Sequence, residues 1–230
     1  MVSHERPVPV RRGGYDLKDA SYFAMARHDY VAALPDDAEA SILEIGCANG
    51  ATGALALARG KCRRYCGVEL VPESAAAARE RLTEVVEGDV EQLELPWPSE
   101  SFDGLILSEV LEHLRDPWAL LERLRPLLRP GALVFASTPN VAHWEIVAML
   151  VRGRWELRSY GPLDATHLRW FTPATLRQAF EGAGYVVDTV GPLGALGSGS
   201  AILDRLLRGR LRHLWHRQID LRAHVPQAAG

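Results

Sequence analysis

Glu109, Glu112 and His113 stand three and four residues apart in the run Ser108-Glu109-Val110-Leu111-Glu112-His113. On a helical turn this spacing puts all three side chains on one face. Two carboxylates and an imidazole on one face can hold a divalent cation such as Mg2+. A second histidine, His167, lies in Leu163-Asp164-Ala165-Thr166-His167-Leu168-Arg169-Trp170-Phe171-Thr172. Without a metal the same groups supply a general base, because imidazole titrates near neutral pH. The metal candidates are therefore Glu109, Glu112, His113 and His167. The catalytic candidates are His167, His113 and Asp164. Either version suits deprotonation of a hydroxyl nucleophile.

Groups of this kind need elements to position them. Ser41-Ile42-Leu43-Glu44-Ile45-Gly46-Cys47-Ala48-Asn49-Gly50 is an apolar run that breaks into small residues and then opens a helix-like run at 51–59. It reads as a strand, a tight turn and a helix N-terminus. Small residues let a ligand approach the backbone, and a helix start offers unpaired N–H groups. A second apolar run ends in an acid at Glu69, followed by Leu70. A carboxylate at a strand tip can accept from both hydroxyls of a ribose. Asp89 and Val90 end a third short strand, where the carboxylate can accept from an adenine amino group. Ser108 ends a fourth. Glu44, Gly46, Cys47, Ala48, Gly50, Glu69, Leu70, Asp89, Val90 and Ser108 are thus the cofactor-binding candidates, and the cofactor contains a nucleoside.

The glycines fall at 46, 50 and 53, which does not match Gly-x-Gly-x-x-Gly. Glu44 just before the turn would repel a pyrophosphate but suits an ammonium. Lysine occurs only at 18 and 61, so no Tyr-x-x-x-Lys pair is available. These features disfavour a dinucleotide oxidoreductase.

Strand and helix patterns alternate: strand 41–46, helix 51–59, strand 64–69, helix 72–82, strand 84–87, strand 102–107, helix 117–128, strand 132–137. Alternation implies a parallel sheet with helices on both faces. Pro130-Gly131 suits the stop of the helix before it. A helix is expected over 16–34, an apolar helix over 141–151, a helix over 173–182, a strand over 185–190 and a last strand over 218–225. Residues 201–216 carry arginines among leucines and read as an amphipathic helix.

The ordered strand-end motifs resemble the class I S-adenosylmethionine-dependent methyltransferases over about residues 40–190, with Ala48 where that family usually has glycine. The resemblance implies S-adenosyl-L-methionine as cofactor. It also implies a doubly wound α/β fold with a mostly parallel seven-stranded sheet in the order 3-2-1-4-5-7-6, the seventh strand antiparallel. The domain then runs 16–230, with a core at 40–192, a helical insertion at about 200–216 and a flexible leader at 1–15. Glu-x-x-Glu-His followed by a distant His looks like the metal site of two methyltransferase groups. One acts on the ribose 2′-hydroxyl at small-RNA 3′ ends and the other on catechols in ubiquinone biosynthesis. The stretch 160–173, dense in polar groups and aromatics, resembles bacterial methyltransferases of glycan clusters, as does Tyr22-Phe23 with Arg27. Asn140, His143, Tyr160 and Arg169 are the substrate-binding candidates. The expected reaction is O-methylation of a sugar hydroxyl in a bacterial glycan or glycosylated metabolite. The alternatives are catechol or other small-molecule O-methylation, and a non-catalytic cofactor-binding subunit.

Composition bounds the rest. At 230 residues with 47% hydrophobic content, the chain suits one domain. No apolar run approaches the ~20 residues of a membrane span, and the start lacks a secretory signal. Cys47, Cys62 and Cys66 read as reduced in a cytoplasmic protein. A net charge of -3 argues against a nucleic-acid coat. The basic face of 201–216 suits solvent, or an anionic membrane surface. Sequence leaves the oligomeric state open.

Overall fold

The computed structural model describes residues 26–193 and 209–227. The expected leader, the residues of the 16–34 helix before 26, Tyr22, Phe23 and residues 201–208 lie outside these. The elements are α1 (His28–Ala33), β1 (Ser41–Ile45), α2 (Ala51–Ala58), β2 (Arg64–Glu69), α3 (Pro72–Arg79), β3 (Glu84–Glu87), β4 (Phe102–Ser108), α4 (Pro117–Leu124), β5 (Leu128–Pro139), α5 (Trp144–Val151), α6 (Pro173–Gly182), β6 (Val186–Pro192) and β7 (Gln218–His224). They form one seven-stranded sheet in the order β3-β2-β1-β4-β5-β7-β6. Pairing is parallel from β3 to β5, and β7 runs antiparallel to both β5 and β6. This is the doubly wound sheet expected from the sequence.

The near-continuous apolar runs of β1, β2 and β4 arise because helices cover both faces. Alternate residues feed two cores. Leu43, Ile45, Val68, Leu105, Leu107 and Val134 pack on one side with residues of α4 and α6. Ile42, Tyr65, Ile106 and Phe135 pack on the other with residues of α1, α2 and α3. Gly67 in β2 is required by close approach. A Cβ there would lie 2.4 Å from Cys47 Sγ, the thiol of the turn that follows β1.

Local chemistry moves several boundaries. The helix expected over 117–128 ends at Leu124, and Arg125–Leu127 is a 3-10 turn around Pro126, whose missing N–H cannot continue an α-helix. Pro130-Gly131 therefore stops no helix. It lies inside β5, where the register with β4 shifts between Phe102 and Gly104 and Gly131 adopts φ +81°. The helix expected from 141 starts at Trp144, because Asn140 Oδ1 takes the Ala142 N–H in a turn and His143 Nδ1 caps Glu145 N–H. The expected 201–216 helix does not extend through its described part. Gly209 is left-handed at φ +73°, and only a 3-10 turn, Arg212–Trp215, follows. Among the described residues no helix is long and apolar enough to cross a membrane.

Candidate active site

A cleft of about 580 Å³ opens at the carboxyl ends of β1, β2 and β4. Parallel α/β sheets place ligands at this edge because strand tips and helix starts converge there. All the cofactor candidates except Gly50 line it: Glu44, Gly46, Cys47, Ala48, Glu69, Leu70, Asp89, Val90 and Ser108. Gly50 instead caps α2 in the left-handed region, φ +78°.

The turn after β1 is left-handed at Gly46 and at Ala48, φ +71° and +50°. For alanine this conformation costs about 1–2 kcal/mol. The Ala48 N–H is held at 2.8 Å by Glu69 Oε2, which helps to fix the turn. The other Glu69 oxygen accepts from Val71 N–H at 2.8 Å. Each carboxylate oxygen has more than one lone pair, so Glu69 has the capacity to accept further hydrogen bonds beside these N–H groups. Burial raises the Glu69 pKa, opposed by these N–H groups.

Glu44 is 3% exposed and accepts from Tyr65 Oη at 2.9 Å. Burial pushes its pKa up to about 7, against the Tyr65 hydrogen bond and the Arg27 charge. Burial and the two neighbouring glutamates raise the Cys47 thiol far above its ordinary value, so it is a neutral wall. Asp89 accepts from Glu91 N–H at 3.0 Å and Gln92 Nε2 at 2.6 Å. Arg123 of α4 steadies that loop through the carbonyls of Val90, Glu91 and Leu93.

The second cluster adjoins the cleft. Glu112, His113 and His167 each bring a ligand atom within 4.8 Å of one another. The two rings meet edge to face with centroids 4.8 Å apart. His113 Nδ1 lies 3.4 Å from the Thr166 carbonyl and 3.3 Å from its hydroxyl, and His167 Nδ1 lies 3.2 Å from the Pro162 carbonyl. A carbonyl only accepts, so Nδ1 is the donor in each of these carbonyl contacts. This is the outer-shell arrangement that orients metal-binding imidazoles. Glu112 holds the facing loop through its carbonyl, which accepts from Leu168 and Arg169 N–H. His113 lines the cleft and His167 does not, so His113 rather than His167 is the ring on the cofactor side.

Glu109 departs from the shared helical face. It is left-handed at φ +53°, and the 3-10 turn Leu111–His113 begins only after Val110. The turn therefore separates Glu109 from the Glu112–His113–His167 group. Its Oε2 accepts from Gln218 Nε2 at 3.0 Å, and burial raises its pKa.

The substrate candidates are placed elsewhere. Asn140 is fully buried and donates to the carbonyls of His213 and His216. His143 is the buried cap of α5, and burial lowers its pKa. Tyr160 is 72% exposed, away from the cleft lining. Arg169 donates to the Arg115 carbonyl and lies over Trp118. Asp164 Oδ1 accepts from the Thr166 N–H and hydroxyl, closing a turn in the His167 loop. Thr172 caps α6 with Pro173 in its first turn.

Arg27 and Gln218 also line the cleft, though neither is among the candidate site residues. Arg27 reaches Ser108 and Ser137 hydroxyls and stacks 3.6 Å over the Tyr30 ring. Gln218 arrives because β7 pairs antiparallel with β5, Pro139 opposite Gln218. Arg27 enters the sequence reading only with Tyr22-Phe23 as part of a family resemblance, and Gln218 only as the start of the last expected strand.

A family model described as a methyltransferase domain matches residues 17–190. A ubiquinone biosynthesis O-methyltransferase of Aeromonas salmonicida is 28% identical over 151 residues, 64% of this chain and 63% of that protein. One of Xanthomonas campestris is 35% identical over 120 residues, 50% of this chain and 49% of that protein. The chain thus spans about half to two thirds of the length of these relatives. An S-adenosylmethionine-dependent methyltransferase structure from Mesorhizobium loti has TM-score 0.61 at 20% identity, covering 87% of this chain and 98% of that one.

Proposed function

We propose, from the premise that this chain belongs to the class I S-adenosylmethionine-dependent methyltransferases and takes S-adenosylmethionine as its cofactor, that it transfers the methyl group to an oxygen. The observation that carries this reading is the convergence of Glu112, His113 and His167 beside the cofactor cleft. A sulfonium methyl is already activated, so the protein must align the nucleophile and take its proton. An amine acceptor needs less help than a hydroxyl.

The donor set fits a hard or borderline divalent cation: one carboxylate and two imidazoles with protonated Nδ1 atoms. When bound there, such an ion lowers the pKa of an acceptor hydroxyl. The Thr166 and Pro162 carbonyls hold the rings in the accepting tautomer. His113, on the cleft wall, is the group placed to take the proton when no ion is present.

In this reading Glu69 binds the ribose diol, the adenine lies beside Asp89 and Val90, and the amino-acid tail rests against Gly46 with its ammonium toward Glu44. Glu69→Ala is expected to weaken S-adenosylhomocysteine by about 1–3 kcal/mol, the scale of charge-assisted hydrogen bonds lost. Unchanged affinity by calorimetry would remove Glu69 from the site.

The acceptor presents two adjacent oxygens. A sugar hydroxyl with a neighbouring hydroxyl, in a bacterial glycan or glycosylated metabolite, meets this requirement. A catechol also meets it, and the similarity to ubiquinone biosynthesis O-methyltransferases favours that second reading. The test is transfer of labelled methyl to a panel of sugar nucleotides, catechols and amines, with mass analysis of the product. O-methyl product supports the proposal; labelled amine with no labelled hydroxyl compound overturns it.

A further inference from the structure

The helix α5 is the most apolar in its composition, Trp144-Glu145-Ile146-Val147-Ala148-Met149-Leu150-Val151, yet it buries only Ile146 fully. Trp144 is 47% exposed, Leu150 48% and Val151 82%. A water-facing helix ordinarily turns polar residues outward. Here Val147, Trp155 and Leu157 extend the same exposed apolar surface, and every residue from 150 to 161 is exposed. Several exposed apolar side chains near one another in the chain, with Trp155 set edge to face against Trp170, are the composition of an interaction site.

From these features we infer that α5 and the loop after it dock on the surface of an anionic lipid bilayer. The helix of eight residues is about 12 Å long, too short to span and suited to lying in the interface. Indoles stand at both ends of the patch, Trp144 at the helix start and Trp155 just past its end, where amphipathic rings sit at headgroup level. Arg152, Arg154 and Arg158 follow directly. Arg154 is paired with Glu156, whereas Arg152 and Arg158 have no acidic partner among the described residues. Cations bordering an apolar face complement lipid phosphates. α5 follows the carboxyl end of β5 in the chain. Its chain runs on into the His167 loop, where Leu168 is 43% exposed and lines the cleft.

The test is flotation of the full chain with vesicles of phosphatidylcholine, with and without phosphatidylglycerol. Binding is expected to the mixed vesicles, weakened but not abolished by high salt. The double variant Leu150→Asp, Val151→Asp should lower the bound fraction about tenfold, and Arg152→Glu with Arg158→Glu by a similar factor. Both apolar side chains are exposed, so the fold should survive, as thermal unfolding will check. Absent flotation overturns the inference, and so does flotation that the apolar variant leaves unchanged. Light scattering that shows a dimer broken by the same variant assigns the face to a second copy and also overturns it.

Discussion

Glu112→Ala and His167→Ala are expected to lose turnover by about a thousandfold while S-adenosylhomocysteine binding stays within about twofold of the parent. The cluster stands beside the cofactor cleft rather than among the strand-tip residues, so its loss removes activation of the acceptor and spares the cofactor. A chelator separates the two versions of the mechanism. If an ion is held, chelation matches either variant, because each breaks the same coordination sphere. If a histidine is the base, the chelator does nothing and activity rises with pH through the ring's titration. Glu109→Gln gives a further distinction. Its carboxylate is turned toward Gln218, so the variant should retain metal binding where Glu112→Ala does not. Full turnover in both Glu112→Ala and His167→Ala would sink the whole assignment.

Glu44→Gln should make the cofactor-free protein more stable at pH 8 by roughly 3 kcal/mol and bind cofactor more weakly. Burial raises the folded-state pKa of Glu44 from 4.5 to about 7. The folded protein therefore holds this proton more tightly than the unfolded chain. The associated stability is fully present below pH 4.5 and is lost as pH rises through about 7. Above that, the fold carries an ionised buried carboxylate at a cost of roughly 3 kcal/mol, since each pKa unit is about 1.4 kcal/mol. A glutamine keeps the shape and an acceptor for Tyr65 Oη without the charge. The same charge would meet the cofactor ammonium, so parent affinity should rise with pH up to about 7 and the variant's should not. Urea unfolding at pH 5 and pH 8, with calorimetry alongside, checks both halves. Equal unfolding free energies for parent and variant at pH 8 would remove the argument.

The sequence by itself determined a parallel sheet with helices on both faces, the family resemblance supplied its strand order, and linear order brought most of the cofactor candidates to one cleft. Apolar runs without alternation signal strands buried on both faces, and an acid or small-residue turn at the end of each run sits at the carboxyl edge once the strands are parallel. Glu44, Gly46, Ala48, Glu69, Asp89 and Ser108 could therefore be placed from linear order alone. The meeting of His113 with His167 is expected from the resemblance of Glu-x-x-Glu-His and a distant His to a metal site, and the two rings do lie edge to face.

Tertiary structure decided how individual side chains are used. Glu109 lost its helical neighbours because a left-handed residue precedes the 3-10 turn, which residue spacing does not encode. Asn140 and Asp164 have the chemistry of ligand-binding residues but spend it on backbone groups that the packed loops would otherwise leave bare. Arg27 and Gln218 reach the cleft from distant positions only after α1 packs and β7 pairs with β5. A strand tip is a local consequence of the chain, whereas the direction of a loop side chain depends on which distant partner it meets.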